Sequence, residues 1–296
     1  MKISKPIQAD LALVLITLVW GSTFTVVKQS LRHISPILFV ALRFWIATLV
    51  IAALMPGQIR DIARKTFLQG VILAVVLFGG FVFQTLGLRS TNPSYSAFIT
   101  SLSVLLVPLL GLMIFRHRPR PQTIAGIALA TTGLFLLLAH LSELTMGSGD
   151  FLTLICAILF GFHILFLGRF VSGSDYRQLM LLQMAGTAVL SSGAAAILEK
   201  PFVVWNSGLA WSLFLTGFLA TAFAFYVQAS AQRLTTANHA ALIFSLEPFF
   251  ATLFAFWILG QVLTAREWMG GILVLSGILV SELKLPAFRK SNEDIH

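Results

Sequence analysis

The sequence predicts an all-α membrane protein of ten transmembrane helices, arranged as two inverted five-helix repeats. Three observations carry this expectation. The 296 residues are 57% hydrophobic and only 10% charged, with a mean hydropathy of +0.91, whereas a soluble domain carries about 25% charged residues. The apolar residues form long runs over the whole chain, not one anchor or the short alternating strands of a β-barrel. The second half of the chain also repeats the first.

About 20 apolar residues cross the hydrocarbon core, and breaks fall at charged or Pro/Gly-rich clusters. The expected spans are 10–31, 36–55, 67–89, 93–115, 121–139, 150–170, 176–197, 208–231, 237–259 and 266–284. Pro36, Pro93 and Pro121 mark helix starts, since proline suits the first helical turn. The opening MKISKPIQADLALVLITLVWG has the basic start of a signal peptide, but its apolar stretch runs past Trp20 with no small-x-small cleavage site. It reads as an uncleaved first span. The domains follow: a cytoplasmic N-terminus over 1–9, a first repeat over 10–139, a second over 150–284, and a cytoplasmic tail over 285–296.

Orientation comes from loop Lys and Arg, which concentrate on the cytoplasmic side. With the N-terminus inside, five fall outside (Lys28, Arg32, Arg89, Lys200 and Arg266) and 14 inside, with Arg43 within a span. Both termini are therefore expected in the cytoplasm of a multi-pass inner (plasma) membrane protein. The same bias accounts for the net charge of +9 without nucleic acid. The lone Cys156 permits no disulfide within the chain and reads as a small core residue.

Displacing the sequence by 144 brings Phe81, Gln84, Arg89, Thr91, Ala97, Ser101, Leu102, Gly126 and Gly133 onto Phe225, Gln228, Arg233, Thr235, Ala241, Ser245, Leu246, Gly270 and Gly277. A displacement of 140 nearer the start brings Asp10 and Gly21 onto Asp150 and Gly161. Five helices is an odd number, so the second copy enters the membrane from the opposite side. Inverted repeats suit alternating access around a midplane site.

Ionisable residues inside a span are functional candidates. Arg43 lies in the second span, His163 in the sixth and Glu247 near the middle of the ninth, with His239 two turns before it. Arg43 and Glu247 form a structural ion pair or serve the site; His163 is either carbonyl-bonded or a substrate or proton group. Gln84 and Gln228 either join helices or line a path. Trp20, Phe24 and Tyr226 pack on lipid or on a cavity, and Tyr95 is the repeat partner of His239. The expected substrate-binding set is Trp20, Gln84, Tyr95, His163, Tyr226, Gln228 and His239; Glu247, His163 and Arg43 are the proton-coupling or ion-pair candidates. Gly126 with Gly133, and Gly270 with Gly277, lie seven apart on one helix face, which suits close helix packing. The fourth and ninth spans are read as proline-broken, at Pro108 and Pro248.

The segments LVWGSTFTVVKQ, SPILFVALRF, TNPSYSAFITSLSVLLVPLLG, SLEPFFATLFAFWILGQVLT and WMGGILVLSGILV resemble the first, second, fourth, ninth and tenth helices of EamA-type transporters of the drug/metabolite transporter superfamily. The resemblance covers nearly the whole chain in two copies. It implies a ten-helix inner-membrane carrier with both termini inside and a central cavity lined by the first, third, fourth, sixth, eighth and ninth helices. It also implies export of amino acids and related metabolites. The family often has an acidic residue after the glycine ending the ninth helix; here that position is Gln261, with His117 as repeat counterpart.

The expected function is a secondary transporter, an alternating-access exporter of small polar metabolites such as amino acids or their derivatives. No G-x-x-x-x-G-K-[ST] loop is present, so the drive is a proton or substrate gradient. The alternative is a membrane enzyme acting on a lipid or small molecule, against which stands the lack of H-E-x-x-H, acidic metal clusters or G-x-S-x-G. No metal or other cofactor is expected. The expected partners are a small-molecule substrate and membrane lipid, with homo-oligomerisation left open.

Overall fold

The computed structural model describes residues 5–59, 61–116, 119–138, 147–259 and 264–282. Lys2, Arg60, His117, Arg118, Gln261, Lys284, Arg289, Lys290 and the tail over 285–296 lie outside the described residues. The helices are α1 (Lys5–Ser30), α2 (Pro36–Leu54), α3 (Arg64–Leu88), α4 (Pro93–Ser101), α5 (Ser103–Phe115), α6 (Pro121–Leu138), α7 (Ser148–Phe170), α8 (Tyr176–Leu198), α9 (Ser207–Phe214), α10 (Ala224–Ala231), α11 (Ala237–Phe244), α12 (Glu247–Leu259) and α13 (Ala265–Glu282). A π-helix over Leu215–Phe223 joins α9 to α10. Among the described residues the fold is helical apart from a single bridge between Ile34 and Val203.

Among the described residues, seven helical segments are long and apolar enough to cross a membrane: α1, α2, α3, α4–α5, α7, α8 and Ser207–Ala231. Pro121–Leu136 and Trp268–Ser281 are shorter apolar helices, and α11–α12 is interrupted at Ser245 and Leu246. The entry signals act locally. Pro36 and Pro93 sit in first turns, and the Asn92 side chain accepts from the Ser94 N–H. Glu199 reaches over to accept from the Ile37 and Leu38 N–H groups at 3.3 and 2.9 Å, satisfying donors a helix start leaves unpaired.

Helix ends correspond between the two halves. α1 ends at Ser30 and α7 at Phe170, and α2 starts at Pro36 and α8 at Tyr176, each 140 apart. α4 starts at Pro93 and α11 at Ala237, and α6 covers Pro121–Leu138 while α13 covers Ala265–Glu282, each 144 apart. Contacts correspond as well. A Cβ on Gly21 would meet the Phe250 Cβ at 2.9 Å and the Ala251 N at 3.0 Å; on Gly161 it would meet the Leu106 Cβ at 3.3 Å and the Val107 N at 4.0 Å. These partners are again 144 apart.

α6 packs on α13 through glycines. Gly126 sits against the Gly277 carbonyl and Gly277 against that of Gly126, while Gly133 sits against the Gly270 carbonyl. The two helices therefore run antiparallel, backbone against backbone, with Ala130, Leu134 and Val274 buried between them. Glycine permits this close approach.

The expectation of a break at Pro108 is corrected. Pro108 lies inside α5, and the interruption falls at Leu102. There the Leu102 N–H turns to the Ile99 carbonyl at 3.1 Å, and in the ninth segment the Leu246 N–H turns to the Ile243 carbonyl, also at 3.1 Å. Both are the tightened i→i+3 bonds of a helix end, at positions 144 apart. Only the second has a proline to explain it: Pro248 has no N–H to offer the Phe244 carbonyl. Pro108 is too far along to disturb Leu102.

Candidate functional site

A cavity lies at the centre, where both helix interruptions meet it. Thr100 and Ser103 flank the first break, Phe244 and Glu247 the second. The remaining wall comes from Trp20, Thr23 and Phe24 of α1, Arg43 of α2, Phe81 and Gln84 of α3, Phe160, His163 and Ile164 of α7, and Phe225 and Gln228 of α10. The space between atoms comes to about 560 Å³, counting the part open to solvent.

This wall is built from corresponding positions. Trp20 and Phe160, Thr23 and His163, and Phe24 and Ile164 are 140 apart. Phe81 and Phe225, Gln84 and Gln228, Thr100 and Phe244, and Ser103 and Glu247 are 144 apart. Arg43 is left over, and its counterpart at 140 is Gln183, which contacts the cavity residue His163. Phe81 and Phe225 face each other with ring centroids 5.9 Å apart.

Arg43 is buried and held from one side. Its Nε donates to Thr221 Oγ1, its Nη2 lies 3.5 Å from the Ala220 carbonyl, and its guanidinium stacks 4.4 Å from the Phe81 ring centre. The same Ala220 carbonyl accepts the Trp20 indole N–H at 2.8 Å. Both acceptors belong to the π-helix, and Thr221 Oγ1 in turn donates to the Thr216 carbonyl five residues back, at 2.7 Å. A π-turn spaces its carbonyls differently from an α-helix, and such turns recur at functional sites. Gly217 allows α2 to approach, since a Cβ there would meet Ile46 at 2.9 Å and the Arg43 carbonyl at 3.1 Å.

Glu247 begins α12. A carboxylate is favoured at a helix N-terminus, where backbone N–H groups concentrate positive partial charge. Among the described residues no ion pair joins it to Arg43; the pair that forms within 4.0 Å is His239 with Asp10. Glu247 thus meets the cavity without a salt-bridge partner. His163 Nε2 lies 2.7 Å from Gln183 Oε1; because that oxygen only accepts, Nε2 carries the hydrogen. The ring stands edge-on to Phe225 at 5.6 Å. Gln84 Nε2 lies 3.4 Å from Thr100 Oγ1, and Gln228 Oε1 is buried with no hydrogen-bond partner among the described residues.

Six of the residues singled out from the sequence thus share one cavity: Trp20, Arg43, Gln84, His163, Gln228 and Glu247. Three do not line it. Tyr95 stacks on Phe98. Tyr226 OH lies 3.1 Å from Tyr176 OH. His239 lies 3.1 Å from Asp10 Oδ1 and 3.2 Å from Ser281 Oγ. Phe24, read from the sequence as facing lipid or a cavity, also lines the cavity, whereas Thr23, Thr100, Ser103 and the other cavity phenylalanines were not singled out as site residues. The displacement itself was the available signal, because it places each against a partner in the wall.

Known proteins carry the same pattern. A sequence profile of the EamA-like transporter family matches residues 7–139 and 147–283. An uncharacterized transporter of Archaeoglobus fulgidus is 32% identical over 281 residues, covering 95% of this chain and 88% of that protein. A "probable amino-acid metabolite efflux pump" of Salmonella typhimurium is 25% identical over 280 residues, covering 90% of this chain and 92% of that protein. A solved crystal structure shares the fold at 20% identity, with a TM-score of 0.75, covering 93% of this chain and 97% of that one. With both halves matched, the chain belongs to the EamA-like transporter family and is a multi-pass membrane transporter.

Proposed function

We propose that the chain is a secondary, alternating-access exporter of a small zwitterionic metabolite, an amino acid or a derivative, in the inner (plasma) membrane. It crosses the membrane ten times in two inverted five-helix repeats, over 10–139 and 150–284, with both termini cytoplasmic. The antiparallel α6–α13 packing and the corresponding helix ends support this architecture. The amine of the substrate pairs with Glu247, and its carboxylate takes the guanidinium hydrogens that Arg43 does not spend on Thr221 and Ala220. Gln84, Gln228 and His163 fit the remaining polar atoms, and Trp20, Phe81 and Phe225 the apolar side chain.

The observation that carries this reading is Glu247, a carboxylate on the cavity with no salt-bridge partner among the described residues. A charge so placed is costly unless a cation, a proton or water meets it. The Salmonella relative's name, an efflux pump for amino-acid metabolites, agrees with an amine. Counterflow of labelled amino acids in proteoliposomes tests it: exchange by the native chain and loss with Glu247→Gln are expected, and exchange unaffected by that change overturns the role of Glu247. Proton coupling through Glu247 and His163 has its own test. Uptake driven by a pH step that survives both Glu247→Gln and His163→Ala would reject it.

A further inference from the structure

We infer that two polar clasps, one at each membrane face, hold the two mouths of the transport path closed. Asp10 with His239 forms one; Asp150 with Thr91 forms the other. This inference rests on the alternating-access reading above.

α1 separates the two. Asp10 sits near its start, and Lys28, near its end, donates from Nζ to the Thr91 carbonyl at 2.8 Å. Eighteen residues at about 1.5 Å each place Thr91 roughly 27 Å from Asp10 along the helix, close to the thickness of the hydrocarbon core. Trp20, Thr23 and Phe24, between them on α1, line the cavity.

Each clasp ties the start of one helix to the start of a broken one. His239, in the first turn of α11, lies 3.1 Å from Asp10 Oδ1; its other ring nitrogen lies 3.2 Å from Ser281 Oγ of α13. Thr91, just before α4, donates from Oγ1 to Asp150 Oδ1 at 2.9 Å, and Asp150 Oδ2 also accepts the Gly147 N–H at 2.9 Å. Asp10 and Asp150 are the pair at 140. α11 and α4 correspond at 144, His239 taking the place of Tyr95. The bonds themselves differ, carboxylate to imidazole on one face and carboxylate to hydroxyl on the other. The two faces can then be loosened independently, and both are fastened in this structure. Each broken helix continues from its clasp to the interruption at the cavity wall, so releasing a clasp frees the segment that closes that mouth.

The test uses the full chain with Cys156→Ala and a cavity reporter, Ser103→Cys, in sealed vesicles of each orientation. The rate at which a membrane-impermeant maleimide labels the reporter is compared between faces. Asp10→Asn raises labelling from the face where α1 begins and lowers it from the other. Thr91→Val does the reverse. Loss of one charge-assisted hydrogen bond corresponds to about tenfold in the ratio of the two rates. His239→Leu and Asp150→Asn reproduce the two shifts from the partner side, which separates unclasping from misfolding of any one variant. A ratio that stays fixed, or moves the same way for both clasps, overturns the clasps while leaving alternating access standing. A reporter reached from one face only in every variant overturns both.

Discussion

The glycine seam of α6 and α13 and the cavity wall use the same correspondence between halves to opposite ends. In the seam, corresponding positions hold the same residue: Gly126 and Gly270, Gly133 and Gly277. In the wall, Phe81 with Phe225 and Gln84 with Gln228 still match, but other positions hold unlike residues: Thr23 and His163, Ser103 and Glu247, Thr100 and Phe244. Likeness lets two helices close on each other in an antiparallel pair. Unlikeness gives a wall in which one half supplies a carboxylate, Glu247, where the other has the hydroxyl of Ser103. The two long helices that carry the glutamines show the same contrast. α3 is continuous from Arg64 to Leu88, whereas its counterpart contains the π-helix whose Ala220 and Thr221 hold Arg43.

The largest expected effect tests the wall. Glu247→Gln raises the KM for a zwitterionic substrate roughly 30-fold or more, the loss of about 2 kcal/mol when one partner of a buried charge pair is removed. Its counterpart change, Ser103→Ala, shifts KM by less than about threefold, on the scale of one polar contact in a membrane protein. Equal effects would break the contrast drawn between halves.

Next come the glycines. Gly133→Val and Gly277→Val each destabilise the detergent-purified protein by about 1–3 kcal/mol, seen as a lower thermal midpoint. The survivors keep the native KM. A fall for one glycine but not its counterpart would show that the seam is not matched across the halves.

Thr221→Val removes the acceptor from Arg43 Nε and costs about 1 kcal/mol, roughly fivefold in KM. The corresponding position of α3, Leu77, is buried and apolar, and Leu77→Met leaves KM within about twofold. Smallest is Gln84→Leu, which loses a long contact with Thr100 and about 0.6 kcal/mol, near threefold in KM. A larger loss there than at Gln228 would mean that Gln84, not Gln228, meets the substrate.

The seven long apolar helical segments were legible because a membrane imposes length and apolarity on a crossing segment. Helix ends at Ser30 and Phe170, or at Pro93 and Ala237, follow from local chemistry that sequence displays. The site was legible only in depth. Polar residues inside an apolar run announce themselves, and Arg43, His163 and Glu247 were visible for that reason. Direction around the helix is a different matter. Tyr95 and His239 occupy first turns of broken helices and meet Phe98, and Asp10 with Ser281, not the cavity. The π-helix left no mark, since Leu215–Phe223 is as apolar as any α-helical stretch. The interruption at Leu102 left none either, having no proline or glycine of its own, and Pro108 drew attention to the wrong turn.

The seam between α6 and α13 also bears on self-association. Gly126 meets Gly277 as Gly270 meets Gly133, so each helix offers the other the surface it receives. A surface that fits a copy of itself closes a pair and leaves nothing for a third partner. Here the pair is closed within one chain. The small-residue face that would otherwise drive two molecules together in a bilayer is consumed internally, and any larger assembly must use other faces, those that expose bulky side chains such as Phe135 and Leu279.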